Sequence, residues 1–200
     1  MRVGVFGGTF DPVHNGHLAA AAAAVVAAEL DEVIFVPVGQ PGHRTAPVAS
    51  AAERLEMTRI AIDAAASAPA KYSVSDIDVN REEPTYSVNT LRDVHRVRPA
   101  DELFFILGED AFDELDAWRS PDEICALATF VVVSREPQKR PSRTAAPPMT
   151  LDARVIPAPL HGHDVSATDI RQRCMRGESI DALVPAGVAD YIRGHKVYQR

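Results

Sequence analysis

Cysteine is scarce in this chain: Cys125 and Cys174 are the only two among 200 residues. Neither belongs to a CxxC pair, and both fall in helix-like stretches. That excludes a disulfide framework and leaves two small buried thiols, reduced in an intracellular setting. Positive charge is short as well. Lys and Arg total 21 against 28 Asp and Glu, a formal net charge of −7, whereas non-specific nucleic-acid binding wants a basic footprint. No run is long and apolar enough to cross a bilayer; the Ala-rich stretch 18–28 comes closest and is far too short. The start of the chain, 2–6, reads as a strand with no signal-peptide pattern, so cytoplasmic residence is the expectation. GxGxxG and HExxH are missing, which removes the anchors for a dinucleotide-dependent hydride transfer and for a zinc protease. No Ser–His–Asp set, no paired carboxylates and no internal repeat stand out.

What is present is an alternation. Segments 3–6, 33–36, 103–107 and 130–133 are short, nearly continuous apolar runs, as parallel strands buried on both faces require. Between them the pattern is helical at 16–30, 51–66, 88–97 and 121–127. Ser50 with Glu53, and Ser120 with Glu123, have capping-box spacing, and Pro121 sits where a helix needs no N–H. The Pro-rich stretches 39–49 and 136–150 read as loops, the second as a mobile insertion. A short strand near 153–156 then leads to helices at 166–175 and 185–193, the latter stopped by Gly194. The expectation is an α/β fold, a Rossmann-like doubly wound parallel sheet with a small C-terminal helical extension. One domain spans 1–200, with its core at 1–160 and the helical part at 161–200.

An anionic ligand on so acidic a chain needs local positive potential, which directs attention to His14, His17, Arg44, Arg135 and Arg171. The segment GGTFDPVHNGHL, 7–18, follows the first strand and opens the first helix. In an open parallel sheet, ligands gather there, at strand carboxyl ends and helix N-termini. Gly7 and Gly8 let the backbone turn sharply and approach a ligand. His14 and His17, three apart, share a helix face and can donate to phosphate oxygens; Gly16 lets a phosphate reach the backbone. A helix cap carrying two surface histidines is the plainer alternative. The stretch resembles the signature of the nucleotidylyltransferase superfamily, specifically the nicotinate-nucleotide adenylyltransferases. The resemblance implies that His14 and His17 bind the ATP phosphates and stabilise the transition state at the α-phosphorus, with Gly7, Gly8, Thr9 and Phe10 in the ATP site.

A second anion site reads from VSATDIRQR, 165–173, where Ser166 can cap a helix and Arg171 follows one turn on. It resembles the family's ISSTxIR motif, with Ala167 in place of the second serine. Ser166, Thr168 and Arg171 then complete a triphosphate clamp with the histidines, far away in sequence. PTYSVNT, 84–90, is a helix start that Thr85 or Ser87 can cap; it resembles the family's PTYxxxT segment, which puts Thr85 and Tyr86 in the pyridine-nucleotide pocket. Gly108 and Asp110 end a buried strand, and the resemblance assigns them to adenosine or ribose. Trp118, the only tryptophan, is either packing or, as the resemblance implies, a stacking surface for the nicotinate ring. In PVGQPGHR, 37–44, the family's Pro-Pro-His-Lys loop has Gly42 for the second proline and Arg44 for lysine, which keeps a cation for phosphate. Arg135 resembles an arginine of a Val-x-Arg-Pro stretch, with Glu136 intervening. Arg54 and Met57 look family-like and are read as packing.

The implied reaction joins nicotinate mononucleotide to the AMP of ATP. Mg²⁺ is carried on the substrate phosphates, with no metal ligand from protein side chains. The alternatives are a nicotinamide-mononucleotide or phosphopantetheine adenylyltransferase, or a catalytically silent nucleotide-binding regulator. The expected partners are ATP and nicotinate mononucleotide, without nucleic acid or membrane; an oligomer is possible.

Overall fold

The computed structural model describes residues 1–42, 46–65, 68–134, 152–160, 162 and 165–199. Among the described residues six strands form one sheet: β1 (Arg2–Gly8), β2 (Glu32–Pro37), β3 (Lys71–Val74), β4 (Glu102–Gly108), β5 (Thr129–Ser134) and β6 (Val155–Pro159). All pairings are parallel and the order is β3-β2-β1-β4-β5-β6. The helices are α1 (Asn15–Ala28), α2 (Ala51–Asp63), α3 (Ser87–Val97), α4 (Glu109–Asp113), α5 (Pro121–Leu127), α6 (Ala167–Arg176) and α7 (Ala186–His195). This is the doubly wound sheet read from the sequence. Its order reverses between β1 and β4, the crevice where such sheets bind ligands.

Side-chain alternation sorts the strands onto two cores. Val33, Phe35, Phe104, Ile106, Val131 and Val133 pack with α1, α2, α6 and α7. Their neighbours Ile34, Val36, Phe105, Leu107, Phe130 and Val132 pack with α3, α4 and α5. Strands buried on both faces read as unbroken apolar runs for this reason. Alanine, the best helix former, lets α1 lie close on the sheet through Ala20, Ala21, Ala24 and Ala28. Ile170, Cys174, Val188 and Ile192 of the C-terminal helices belong to that same core.

Several local features differ from the sequence expectation. The edge strand β3 carries no apolar run, which hides it. β6 lies later than 153–156 and includes Pro157 and Pro159, tolerated because an edge strand has one unpaired side. The Ser50–Glu53 box forms, with the Glu53 N–H donating to Ser50 Oγ at 3.2 Å and the Ser50 N–H donating to Glu53 Oε2 at 2.8 Å. The Ser120–Glu123 box does not: Ser120 is left-handed at φ 54° and its side chain makes no cap bond. Glu123 instead accepts from Arg92. Gly194 lies inside α7, which ends at left-handed Lys196; the glycine stop belongs to α6, at Gly177. The stretch 136–150 lies outside the described residues, as do Arg44 and Arg135.

At the sheet base, the buried Glu32 carboxylate accepts from Ser73 Oγ at 2.8 Å and Arg98 Nη1 at 2.9 Å, with Lys71 Nζ at 3.5 Å. Burial alone would raise its pKa. The two hydrogen bonds and the charges of Arg98 and Lys71 outweigh it and hold the carboxyl below the usual 4.5. A depressed folded pKa means stability present above the unfolded value and lost as pH falls through the folded one. Glu32→Gln should therefore lower the urea midpoint most at neutral pH, and its gap to wild type should shrink below pH 4.5. A pH-independent gap would contradict this.

Candidate active site

The first strand delivers its motif to the crevice differently from the sequence reading. Gly7 and Gly8 remain extended in β1, and the turn is made by Phe10, left-handed at φ 49°. Gly8 is needed for space instead: a Cβ there would sit 2.7 Å from the Phe10 ring. The peptide Asp11–Pro12 is cis. His14 is not on the helix but caps it, with extended backbone, while His17 occupies the third helical position.

The two imidazoles nonetheless stack, with centroids 3.7 Å apart and planes 23° from parallel. The His14 N–H donates to His17 Nδ1 at 3.2 Å. An imidazole thus does the work of a capping-box carboxylate. Because Nδ1 accepts a proton-bearing backbone amide, it carries no proton itself. The neutral ring is then protonated at Nε2, and that edge is a hydrogen-bond donor. Phe10 fixes the His17 ring edge-on at 5.0 Å. Gly16 lines the cleft and also makes room for His14, since a Cβ would come within 3.1 Å of the His14 ring.

Behind this loop lies a charge network that sequence reasoning misses. Asp11, buried, accepts at Oδ2 from the Val48 N–H (2.8 Å) and at Oδ1 from the Ala49 N–H (3.1 Å) and the Tyr198 hydroxyl (2.8 Å). Burial first, then the Asp11 carboxylate, pushes the Tyr198 phenol far up, so it stays a donor. Arg54 is buried to 1% exposure. It donates to the carbonyls of Thr9 (2.7 Å), Gly39 (2.9 Å) and Ala49 (3.3 Å), tying the motif to the 39–49 stretch. Burial lowers the Arg54 pKa and the Asp11 charge counters it. Arg54 therefore does more than pack. A signal for this exists in the sequence: an arginine on the face of α2 that buries Leu55, Met57, Thr58, Ala61 and Ile62. Tyr198 leaves none.

Arg171 comes to the same place from the far end of the chain. Its Nη1 donates to the Asp11 carbonyl at 2.7 Å and lies 3.8 Å from Oδ2, while Nη2 donates to Thr168 Oγ1 at 3.1 Å. Ser166 is at the N-cap position of α6 but makes no side-chain cap bond. Val165 would be 3.6 Å from a Cβ on Gly16, so the start of α6 abuts the histidine turn. The Asn15 N–H donates to the Leu183 carbonyl at 2.9 Å and its Nδ2 to that of Ala182 at 3.1 Å, a second tether.

A cleft of about 750 Å³ opens in front, roomy enough for nucleotide-sized ligands. Its lining includes Gly7, Gly8, Thr9, Phe10, His14 and His17 from the first motif, together with Thr85, Tyr86, Gly108, Asp110 and Trp118. Ser166, Thr168 and Arg171 flank it without lining it. Asp110 is exposed in the first turn of α4, whose N-cap is Gly108. Neither Thr85 nor Ser87 caps α3; Tyr86 holds that position. Thr85 Oγ1 is buried in the wall and has no hydrogen-bond partner among the described residues. Trp118 meets Phe105 edge-on at 6.1 Å and stays half-buried, leaving indole surface on the cleft. Among the described residues no group of three or more His, Cys, Asp or Glu could hold a metal, and no helix is long and apolar enough to cross a membrane.

The profile of the cytidylyltransferase-like family matches residues 5–173. A protein of Leifsonia xyli subsp. xyli, named a probable nicotinate-nucleotide adenylyltransferase, is 45% identical over 198 residues, covering 99% of this chain and 94% of that one. One of Thermus thermophilus with the same name is 40% identical over 199 residues, covering 100% of both. Among solved structures, Plasmodium falciparum nicotinic acid mononucleotide adenylyltransferase complexed with NaAD superposes with a TM-score of 0.75 at 16% identity, covering 98% of this chain and 97% of that one, a likeness of fold.

Proposed function

The chain belongs to the cytidylyltransferase-like family and, within it, to the nicotinate-nucleotide adenylyltransferases, and from that premise we propose that its cleft transfers AMP from ATP to nicotinate mononucleotide, yielding deamido-NAD and pyrophosphate for NAD biosynthesis. One observation carries the reading: the histidine pair and Arg171, from opposite ends of the sequence, meet on the Asp11 loop at the β1/β4 crevice.

The chemistry asks little covalent work of the protein. A phosphate oxygen of the mononucleotide, already anionic, attacks the α-phosphorus in line. The new P–O bond forms as the bond to the bridging oxygen breaks, and pyrophosphate leaves with that electron pair. Catalysis is alignment and charge stabilisation. His17, a donor at Nε2, and His14 beside it stabilise the pentacoordinate phosphorus. Thr9, Phe10 and the amides after β1 receive ATP. Ser166 and Thr168 at the start of α6, with Arg44, complete the polyphosphate site, and Arg171 locks the loop it crosses. Gly108 and Asp110 take the adenosine side, Asp110 accepting from ribose hydroxyls. Thr85, Tyr86 and Trp118 hold the pyridine ring.

Mg²⁺ would be carried on the substrate phosphates in this scheme and would supply charge neutralisation there. The residues fit that arrangement: His17 commits Nδ1 to a backbone amide and presents a donor, a group for phosphate oxygens and not for a cation. Cytoplasmic residence is supported by two buried, unpaired thiols.

Pyrophosphate release with the acid and amide mononucleotides and phosphopantetheine in parallel tests the reading. Turnover should be fastest with the acid; preference for another acceptor would replace the substrate assignment, and no release with any would leave a silent nucleotide binder. Trp118→Ala should raise KM for the mononucleotide about tenfold, the scale of one stacking contact, while KM for ATP holds. An unchanged mononucleotide KM would remove the stacking role.

A further inference from the structure

The pyridine end of the cleft has to distinguish a carboxylate from a carboxamide of nearly the same shape. At neutral pH the two differ by one full negative charge. The chain is acidic, and Asp110 and Glu114 themselves line the cleft, so a cation beside an incoming carboxylate would offset that unfavourable charge. Among the described lining residues, one lysine or arginine is present: Arg119.

Its position is built. The Arg119 guanidinium lies over the Tyr86 ring, 4.8 Å from the centroid. That contact restrains a long, exposed side chain before substrate arrives and leaves its N–H groups in the ring plane of the guanidinium able to donate. Tyr86 is in turn fitted to its neighbours: a Cβ on Gly42 would come within 2.9 Å of the ring. The glycine that replaces the family's second proline is thus the residue that lets the 41–42 turn lie against Tyr86. Among the described residues Arg119 has no carboxylate within ion-pair distance. Trp118 immediately precedes it.

We propose that Arg119 reads the ionised carboxylate of the pyridine substrate by a charge-assisted hydrogen bond, and so sets the preference for acid over amide. The mononucleotide's own phosphate is a poorer candidate. It must lie beside the α-phosphorus at the histidine pair to react, whereas Arg119 sits with Tyr86 and Trp118. This inference rests on the adenylyltransferase reading and adds a specificity residue to it.

The test compares kcat/KM for nicotinate mononucleotide and nicotinamide mononucleotide in wild type, Arg119→Met and Arg119→Lys. Arg119→Met should lower kcat/KM for the acid about tenfold or more, through KM, as loss of one hydrogen bond to a charged group implies. The value for the amide should stay within about twofold. Arg119→Lys, which keeps the charge without the fork, should recover part of the loss. Equal losses with both substrates would assign Arg119 to the shared phosphate or to structure and overturn the proposal, as would an unchanged ratio. A wild type indifferent to acid and amide would instead refute the substrate reading, so the two failures are separable.

Discussion

His17→Ala is expected to lower kcat about 10²–10³-fold, the scale of removing one preorganised donor from a transition-state site. KM for ATP should move far less. The location of one proton decides this. His17 Nδ1 is occupied by the His14 N–H, so the donor edge is fixed without any substrate, and Phe10 holds the ring edge-on. Preorganisation of this kind acts on charge that grows during reaction and not on the ground state. The variant also leaves the His14 N–H without its acceptor, a capping loss of about 1 kcal/mol, which a denaturation curve measures separately. His14→Ala should fall in kcat by a comparable factor, because the rings are stacked and act as a unit. If either variant turned over at the wild-type rate with only KM for ATP raised, the imidazole would be a ground-state phosphate ligand and the catalytic assignment would fail.

Asp11→Ala should cost stability as well as rate. Removing this carboxylate strips the counter-charge from a buried Arg54 and leaves the Val48 and Ala49 N–H groups and the Tyr198 hydroxyl without their acceptor. Each buried donor left without an acceptor costs about 1–3 kcal/mol. The same loop carries Thr9, Phe10 and His14, so kcat should also drop, and misplacement by about 1 Å suffices for a hundredfold loss. Tyr198→Phe is the mild comparison. It deletes one hydrogen bond to a charged group and should cost about 1.5–3 kcal/mol, leaving the Asp11 charge and its two amide bonds in place. Should Asp11→Ala unfold at the same denaturant concentration as wild type, the network would not be what holds the loop.

Much of the fold and the site is legible in the chain, and the exceptions share a cause. Strands β1, β2, β4 and β5 are buried on both faces, so their apolar runs announce them; β3 and β6 are edges, where half-exposure and proline erase the signal. Spacing locates the histidine motif correctly, yet implies that His14 lies on the helix. Its capping geometry depends on Phe10 turning left-handed, which no local pattern marks. Ser50 finds Glu53, but Ser120 loses Glu123 to Arg92 on another helix. Asp11, Arg54 and Tyr198 follow the same rule: their partners lie 37, 45 and 187 residues distant for Val48, Thr9 and Asp11. The motif marks Arg171 as a phosphate ligand, and its closest described bond is to the Asp11 carbonyl.

Direct transfer, with the protein supplying donors and no nucleophile, is the central claim. The stereochemical course at phosphorus reads it in one measurement, using ATP made chiral at the α-phosphorus by a single sulfur and following its configuration into the dinucleotide product. One in-line displacement predicts inversion. Retention would require two displacements through an adenylylated side chain, and would contradict the donor roles of His14 and His17.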